Sequence, residues 1–279
     1  DLDTVTYMLA GRMRHADNKG HSGLLTPGSV QWMTAGRGIV HSEMPEQEDG
    51  LMWGFQLWVN LPARDKMTAP RYQDIAPESV PEIGPAPGVR LRVIAGSADG
   101  TAGPVQGVVT EPLYLDLCLD AGASYRAQLP AEHNAFAYVY EGSARLGEGA
   151  SAKHLGRGEL GVLSLGEALE IAAPDNAATR LILVAGRPLK EPVAKYGPFV
   201  MNTPEQIVQA IQDYQDPVQL SDWQMAGLDD LNTGNPIVRR ALRQSYNYWI
   251  DQVGVDAFRV DTIFYVPPED VDDFLYADD

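Results

Sequence analysis

The sequence is poor in several residue types. Of its 279 residues one is cysteine and 8% are aromatic, and 21 Lys and Arg stand against 38 Asp and Glu. A lone thiol, Cys118, excludes a disulfide framework and a thiolate zinc site, and it suits a reducing cytoplasm. The formal charge of −17 argues against direct binding of nucleic acid, which needs clustered Lys and Arg. It equally disfavours an anionic membrane surface. No apolar run reaches the length of a membrane span, and no signal peptide opens the chain. An initiator methionine is also missing. Thr4 to Leu9 already reads as a strand without lead-in, and the chain stops abruptly at Ala277-Asp278-Asp279, so both ends read as cut. What is present is ample apolar content, 44%, which excludes wholesale disorder.

Residues 1 to about 200 are β-rich. Short apolar or alternating runs recur between Gly, Pro, Asn and Asp. They include Thr4 to Leu9, Val30 to Met33, Gly54 to Val59, Leu91 to Ile94, Leu113 to Leu119, Ala135 to Tyr140, Gly161 to Leu165 and Arg180 to Val184. Such patterning predicts barrels or sandwiches. Lys66 to Gly88 holds five prolines and reads as an irregular excursion. The segments after Ala10-Gly11 and Glu141-Gly142 share one plan, a polar turn leading to a second Gly-led strand. That weak self-similarity fits a duplicated small barrel.

Helices come late. Thr203-Pro204-Glu205-Gln206 is a helix start signal, followed by an apolar stripe of Ile207, Ala210, Ile211 and Tyr214. A second helix is predicted from Pro236 to Val253, capped by Asn235 and closed by Gly254, with a buried strand from Val255 to Asp261. Charge shifts near residue 216. Residues 1–215 carry 17 basic and 25 acidic side chains, whereas residues 216–279 carry 4 and 13. Less than a quarter of the chain therefore holds over half the net charge, which marks a boundary.

His41 and Glu43 form the first candidate constellation. In an extended strand the period of two sends both side chains to one face, with Ser42 opposite. Read alone, the pair is either a partly exposed strand pair or half of a first-row metal site, whose chemistry needs N/O ligands and open positions. His15 and His21 fall in a polar stretch and read as solvated loop residues. His133 stands alone near a strand start. Gly156-Arg157-Gly158-Glu159-Leu160-Gly161 fits the dinucleotide fingerprint formally, but a strand follows it where a helix is required.

The surrounding residues carry a resemblance. Thr4-Val5-Thr6-Tyr7, then Pro27-Gly28, then Trp32-Met33-Thr34-Ala35-Gly36-Arg37-Gly38-Ile39-Val40-His41-Ser42-Glu43-Met44-Pro45 resemble the pirin family of two-domain cupins. The likeness continues in Gln56-Leu57-Trp58-Val59-Asn60-Leu61-Pro62, Pro70-Arg71-Tyr72-Gln73 and Tyr196-Gly197-Pro198-Phe199-Val200-Met201-Asn202-Thr203. It implies a mainly β chain of two tandem cupin barrels, at 1–112 and 113–215. It further implies iron(II) or another divalent metal held in the first barrel by three histidines and one glutamate. His41 and Glu43 match two of these. The other two belong to a His-Pro-His stretch that would fall just before Asp1, so the first barrel is expected to be truncated and any metal weakly held. Members oxidise flavonols such as quercetin with dioxygen, or act in transcriptional regulation through protein partners. A small flavonol-like substrate or a protein partner, in the cytoplasm, is the corresponding expectation.

The tail forms the second constellation. Arg259 lies two residues before Asp261 at the end of a predicted strand. Alone, the pair is either a structural ion pair or a nucleophile kept ionised by its neighbour. Leu228-Asp229-Asp230-Leu231-Asn232 and Gly254-Val255-Asp256-Ala257-Phe258-Arg259-Val260-Asp261 resemble the alpha-amylase family of retaining glycoside hydrolases. Asp229 stands where that family has proline. By this resemblance 216–279 is an α/β fragment of a TIM barrel, with Asp261 as vestigial nucleophile and Arg259 as its partner. Retaining hydrolysis needs a second carboxyl group, which the family carries on a later strand, so the fragment is expected to be inactive alone.

Overall fold

The computed structural model describes residues 2–17, 20–46, 50–105 and 107–214, all within the compact unit Asp1–Ala226. The predicted second helix, the strand ending at Asp261 and the Leu228–Asn232 motif lie outside these residues.

The first module contains β1 (Leu2–Ala10), β2 (Met13–Asp17), β3 (Ser22–Leu25), β4 (Val30–Thr34), β5 (His41–Pro45), β6 (Trp53–Asn60) and β7 (Arg71–Ile75). They form a four-stranded sheet in the order β6-β1-β4-β7 and a three-stranded sheet in the order β3-β2-β5. Two expectations are corrected here. The Lys66–Gly88 segment is not wholly irregular, because β7 pairs with β4 from Val30 opposite Ile75 to Thr34 opposite Arg71. Pro70 and Pro77 flank this edge strand without interrupting it, so no ladder hydrogen bond is lost. His15 is likewise no loop residue. It lies in the middle of β2, paired on both sides.

The second module contains β8 (Glu82–Ile83), β9 (Val89–Ala95), β10 (Ser97–Ala98), β11 (Thr101–Ala102), β12 (Leu113–Leu119), β13 (Ser124–Gln128), β14 (Asn134–Glu141), β15 (Ser143–Leu146), β16 (Lys153–Gly156), β17 (Leu160–Val162), β18 (Ala168–Ala172) and β19 (Thr179–Gly186). A six-stranded sheet runs β17-β14-β19-β12-β9-β8 and a four-stranded one β13-β18-β15-β16. Strands β8 and β9 precede residue 113 yet hydrogen-bond into the larger sheet, which draws on both sides of the expected boundary.

Alternation along these strands sorts the side chains into two cores. Leu91, Val93, Leu115, Leu117, Val139, Ile171, Leu181 and Leu183 belong to one cluster of buried aliphatic residues. The alternate residues of the same sheet, including Ile94, Tyr114, Tyr140 and Ile182, pack against Val5, Tyr7, Val30 and Trp32 of the first module. Tyr7 and Tyr140 donate hydroxyl hydrogen bonds of 2.6 and 2.5 Å to the buried Asp116 carboxylate, and the Tyr7 bond ties the two modules across this seam.

The chain then returns to the first module. β20 (Ala194–Tyr196) and β21 (Phe199–Met201) form a hairpin, and the Lys66 ammonium donates to the Val200 carbonyl at 2.7 Å. α1 (Pro204–Tyr214) begins where its start signal predicts. Thr203 Oγ1 accepts from the Gln206 amide at 3.3 Å, and Gln206 Oε1 accepts from the Thr203 amide at 3.1 Å, a reciprocal capping box. Ile207 is buried beneath the helix.

Candidate functional site

The interior of the first module is assembled from alternate residues of six strands. Thr6 of β1 lies opposite Gln31 of β4 and Gln56 of β6, and Gln31 lies opposite Asp74 of β7. On the facing sheet His41 and Glu43 of β5 lie opposite Asp17 and His15 of β2. Directly opposed residues of an antiparallel pair share a face, so the period of two carries polar side chains to one side of every strand named. An interior this polar persists because its members pair with each other.

Glu43 shows how. Its Oε1 accepts from Thr6 Oγ1 at 3.2 Å and its Oε2 from Gln56 Nε2 at 2.8 Å. Both donors come from the opposite sheet, so the carboxylate points across the barrel. His41 sits two residues earlier on the same strand, half-buried. Among the described residues no group of three or more His, Cys, Asp and Glu is gathered to hold a metal ion.

His15 is the residue that sequence reasoning missed. It is 3% exposed, its Nε2 lies 3.3 Å from Asp74 Oδ2, and its ring stacks on Tyr72 with centroids 6.0 Å apart. Gly23, directly across the strand pair, makes room for it: a Cβ there would stand 2.3 Å from His15 Nε2. The His15 ring nitrogen and the Gln31 amide hold the Asp74 carboxyl below the ordinary carboxylate range. Burial, with the Asp17 carboxylate beside it, pushes the Tyr72 phenol up. His21 is well exposed, as expected of a solvated residue. Its Nδ1 nevertheless lies 2.7 Å from the buried Asp17 carboxylate. The alternation Met13, His15, Asp17 on one side of β2 was the available signal.

The second barrel differs in kind. Among the described residues its interior holds the aliphatic cluster already described. His133 lies just before β14, buried, and burial lowers its pKa. Gly156 to Gly161 forms the turn from β16 into β17, with the Gly158 amide donating to the Val139 carbonyl at 2.7 Å. A strand follows that turn, so the phosphate-cradling helix of a dinucleotide site is not there.

Comparison with known proteins gives this geometry a family. The model described as Pirin matches residues 1–59, and the Pirin C-terminal cupin domain matches residues 114–218. The chain belongs to the pirin family. One pirin relative, a candidate quercetin 2,3-dioxygenase of Pseudomonas aeruginosa, is 51% identical over 221 residues, covering 78% of this chain and 76% of its own. The crystal structure of a quercetin 2,3-dioxygenase from Acinetobacter baumannii superposes with a TM-score of 0.72 at 34% identity, covering 76% of this chain and 74% of that one. A bacterial pirin, YhhW from Escherichia coli, solved in complex with nickel(II), shares the fold with a TM-score of 0.51 at 23% identity, covering 67% and 73%. The bicupin architecture is thus that of the pirins. A further family match, to the alpha amylase catalytic domain, spans residues 219–276. It lies outside the described residues, as do Arg259 and Asp261. Among the described residues no helix is long and apolar enough to cross a membrane.

Proposed function

We propose that this chain is a metal-binding pirin-type bicupin. In this reading His41 and Glu43 hold iron(II) or another divalent cation in the first barrel, and the second barrel is a packed scaffold. The observation that carries it is the contrast between the two interiors, one lined by paired polar groups and the other filled with aliphatic side chains. The reaction proposed is the one its relatives are named for, dioxygenation of a flavonol of the quercetin type.

The donor set fits a first-row cation in type. Imidazole and carboxylate are suitable ligands, and Thr6 and Gln56 supply the outer hydrogen bonds that orient a ligating carboxylate. A cation there would supply Lewis acidity and access to dioxygen chemistry. The protein side of the work falls to named residues. Thr6 and Gln56 fix the direction of Glu43, Tyr72 and His15 line the same interior, and the barrel wall limits water. The fit in number is partial, since two ligands bind more weakly than the family's four.

The partial ligand set also favours a second reading, a regulatory or protein-binding bicupin without turnover. Metal-loaded full chain incubated with quercetin separates the two. Quercetin consumption that is lost in Glu43→Ala supports the dioxygenase; stable metal loading with no consumption supports the binding role. For the tail we propose that Asp261 and Arg259 take the nucleophile and partner positions of an alpha-amylase-like strand, and starch hydrolysis by the full chain that is unchanged in Asp261→Asn would overturn that.

A further inference from the structure

A cavity lies at the seam between the two barrels, and neither His41 nor Glu43 lines it. It has a volume of about 430 Å3 and is lined by Tyr7, Val80, Arg92, Asp116 and Arg180, among others. The charged groups in its wall are not equally committed. Asp116 spends both carboxylate oxygens on the hydroxyls of Tyr7 and Tyr140. Arg92 is fixed by three acceptors: the Tyr7 hydroxyl at 3.1 Å, the Gly28 carbonyl at 3.2 Å and the Pro77 carbonyl at 2.9 Å.

Arg180 is different. It is half-buried, with its guanidinium 5.1 Å from the centre of the Tyr140 ring. Among the described residues its ion-pair partner is Glu141 at 3.8 Å, beyond hydrogen-bond reach, and its buried Nε has no acceptor. Guanidinium groups are planar forks of donors, and the terminal nitrogens of Arg180, which make no hydrogen bond to Glu141, are left for an acceptor in the cavity. Two cationic side chains therefore face a cavity whose one buried carboxylate, Asp116, accepts from two phenol hydroxyls and interacts with Arg180 through charge without a hydrogen bond. Glu82, the other acidic group of the lining, is exposed.

We propose that this seam cavity binds a small oxyanion, a carboxylate or phosphate group, and that Arg180 pairs with it while Arg92 and Tyr7 form its rigid wall. The residues come from both barrels, so the occupant would also brace the seam. This inference is independent of the metal reading above. Neither His41 nor Glu43 takes part in it.

The test is calorimetric titration of the full chain with inorganic phosphate and, separately, with acetate. Saturable binding of one of them is expected, weakened about tenfold or more by Arg180→Gln. Arg126→Gln, which alters an exposed arginine paired with Glu148 and Glu170, should leave it unchanged. Nitrogen-15 NMR of the wild-type chain gives a readout free of any folding defect in the variant. The Arg180 Nε–H resonance should move and saturate with the same concentration dependence. Phosphate response alone would assign the site to phosphate esters, and acetate response alone to carboxylates. Equal affinity in wild type and Arg180→Gln, or an Arg180 resonance unmoved by either anion, would overturn the proposal.

Discussion

Glu43 and Gln56 meet across the first barrel, with Gln56 Nε2 donating to Glu43 Oε2 at 2.8 Å. Replacing Gln56 with Leu keeps the volume but removes the donor that orients the carboxylate. Divalent-metal affinity should fall about tenfold, in line with losses of outer-shell hydrogen bonds. Isothermal titration with manganese(II) checks this. An affinity equal to wild type would mean that Glu43 is not oriented by Gln56.

Gly23 and His15 give a prediction about stability. A methyl group on residue 23 would meet the His15 ring at 2.3 Å, and that ring is held between Tyr72 and Asp74. Gly23→Ala should therefore destabilise the chain by about 1–3 kcal/mol, the usual cost of overpacking. Urea unfolding measures it. A loss under about 0.5 kcal/mol would show that the ring moves aside freely.

The dependence on pH follows from Asp74. Its folded pKa is lowered, chiefly by the His15 ring, so the folded state binds a proton less readily than the unfolded chain. The stabilisation is thus fully present above the ordinary carboxylate pKa of about 4, and it is lost as pH falls through the lower folded value. Partial exposure of the carboxylate keeps the effect modest. Melting temperature should drop with acid below about pH 4 less steeply in Asp74→Asn than in wild type. Parallel curves would contradict the assignment.

The second barrel should behave as an ordinary aliphatic core. Leu117 is 0% exposed, and truncation to Ala should cost about 2–5 kcal/mol by transfer and cavity terms together. Val162, 82% exposed on edge strand β17, should tolerate Ala to within about 0.5 kcal/mol. Chemical denaturation of the two variants side by side provides the comparison.

Much of the fold was legible in local pattern. Leu113 to Leu119 forms β12 with the expected limits, because its apolar run is bounded by Pro112 and Asp120. The Thr203–Gln206 start signal is met atom for atom. Arg71 to Ile75 was obscured by counting prolines across a segment, when Pro70 and Pro77 stand just outside the strand. His15 was obscured because glycines and charged residues surround it, and burial of a histidine depends on partners far along the chain. The same holds for the site. His41 and Glu43 are neighbours in sequence and share a face by strand geometry alone. Thr6 and Gln56 reach Glu43 only because two sheets face each other, from 37 and 13 positions away along the chain.

Metal titration of the full chain, beside His41→Ala, tests the central claim most directly. Saturable binding of a first-row divalent cation is predicted, weak enough to be lost on dialysis and abolished in His41→Ala. Tight stoichiometric metal that survives dialysis, or binding unchanged by His41→Ala, would contradict it.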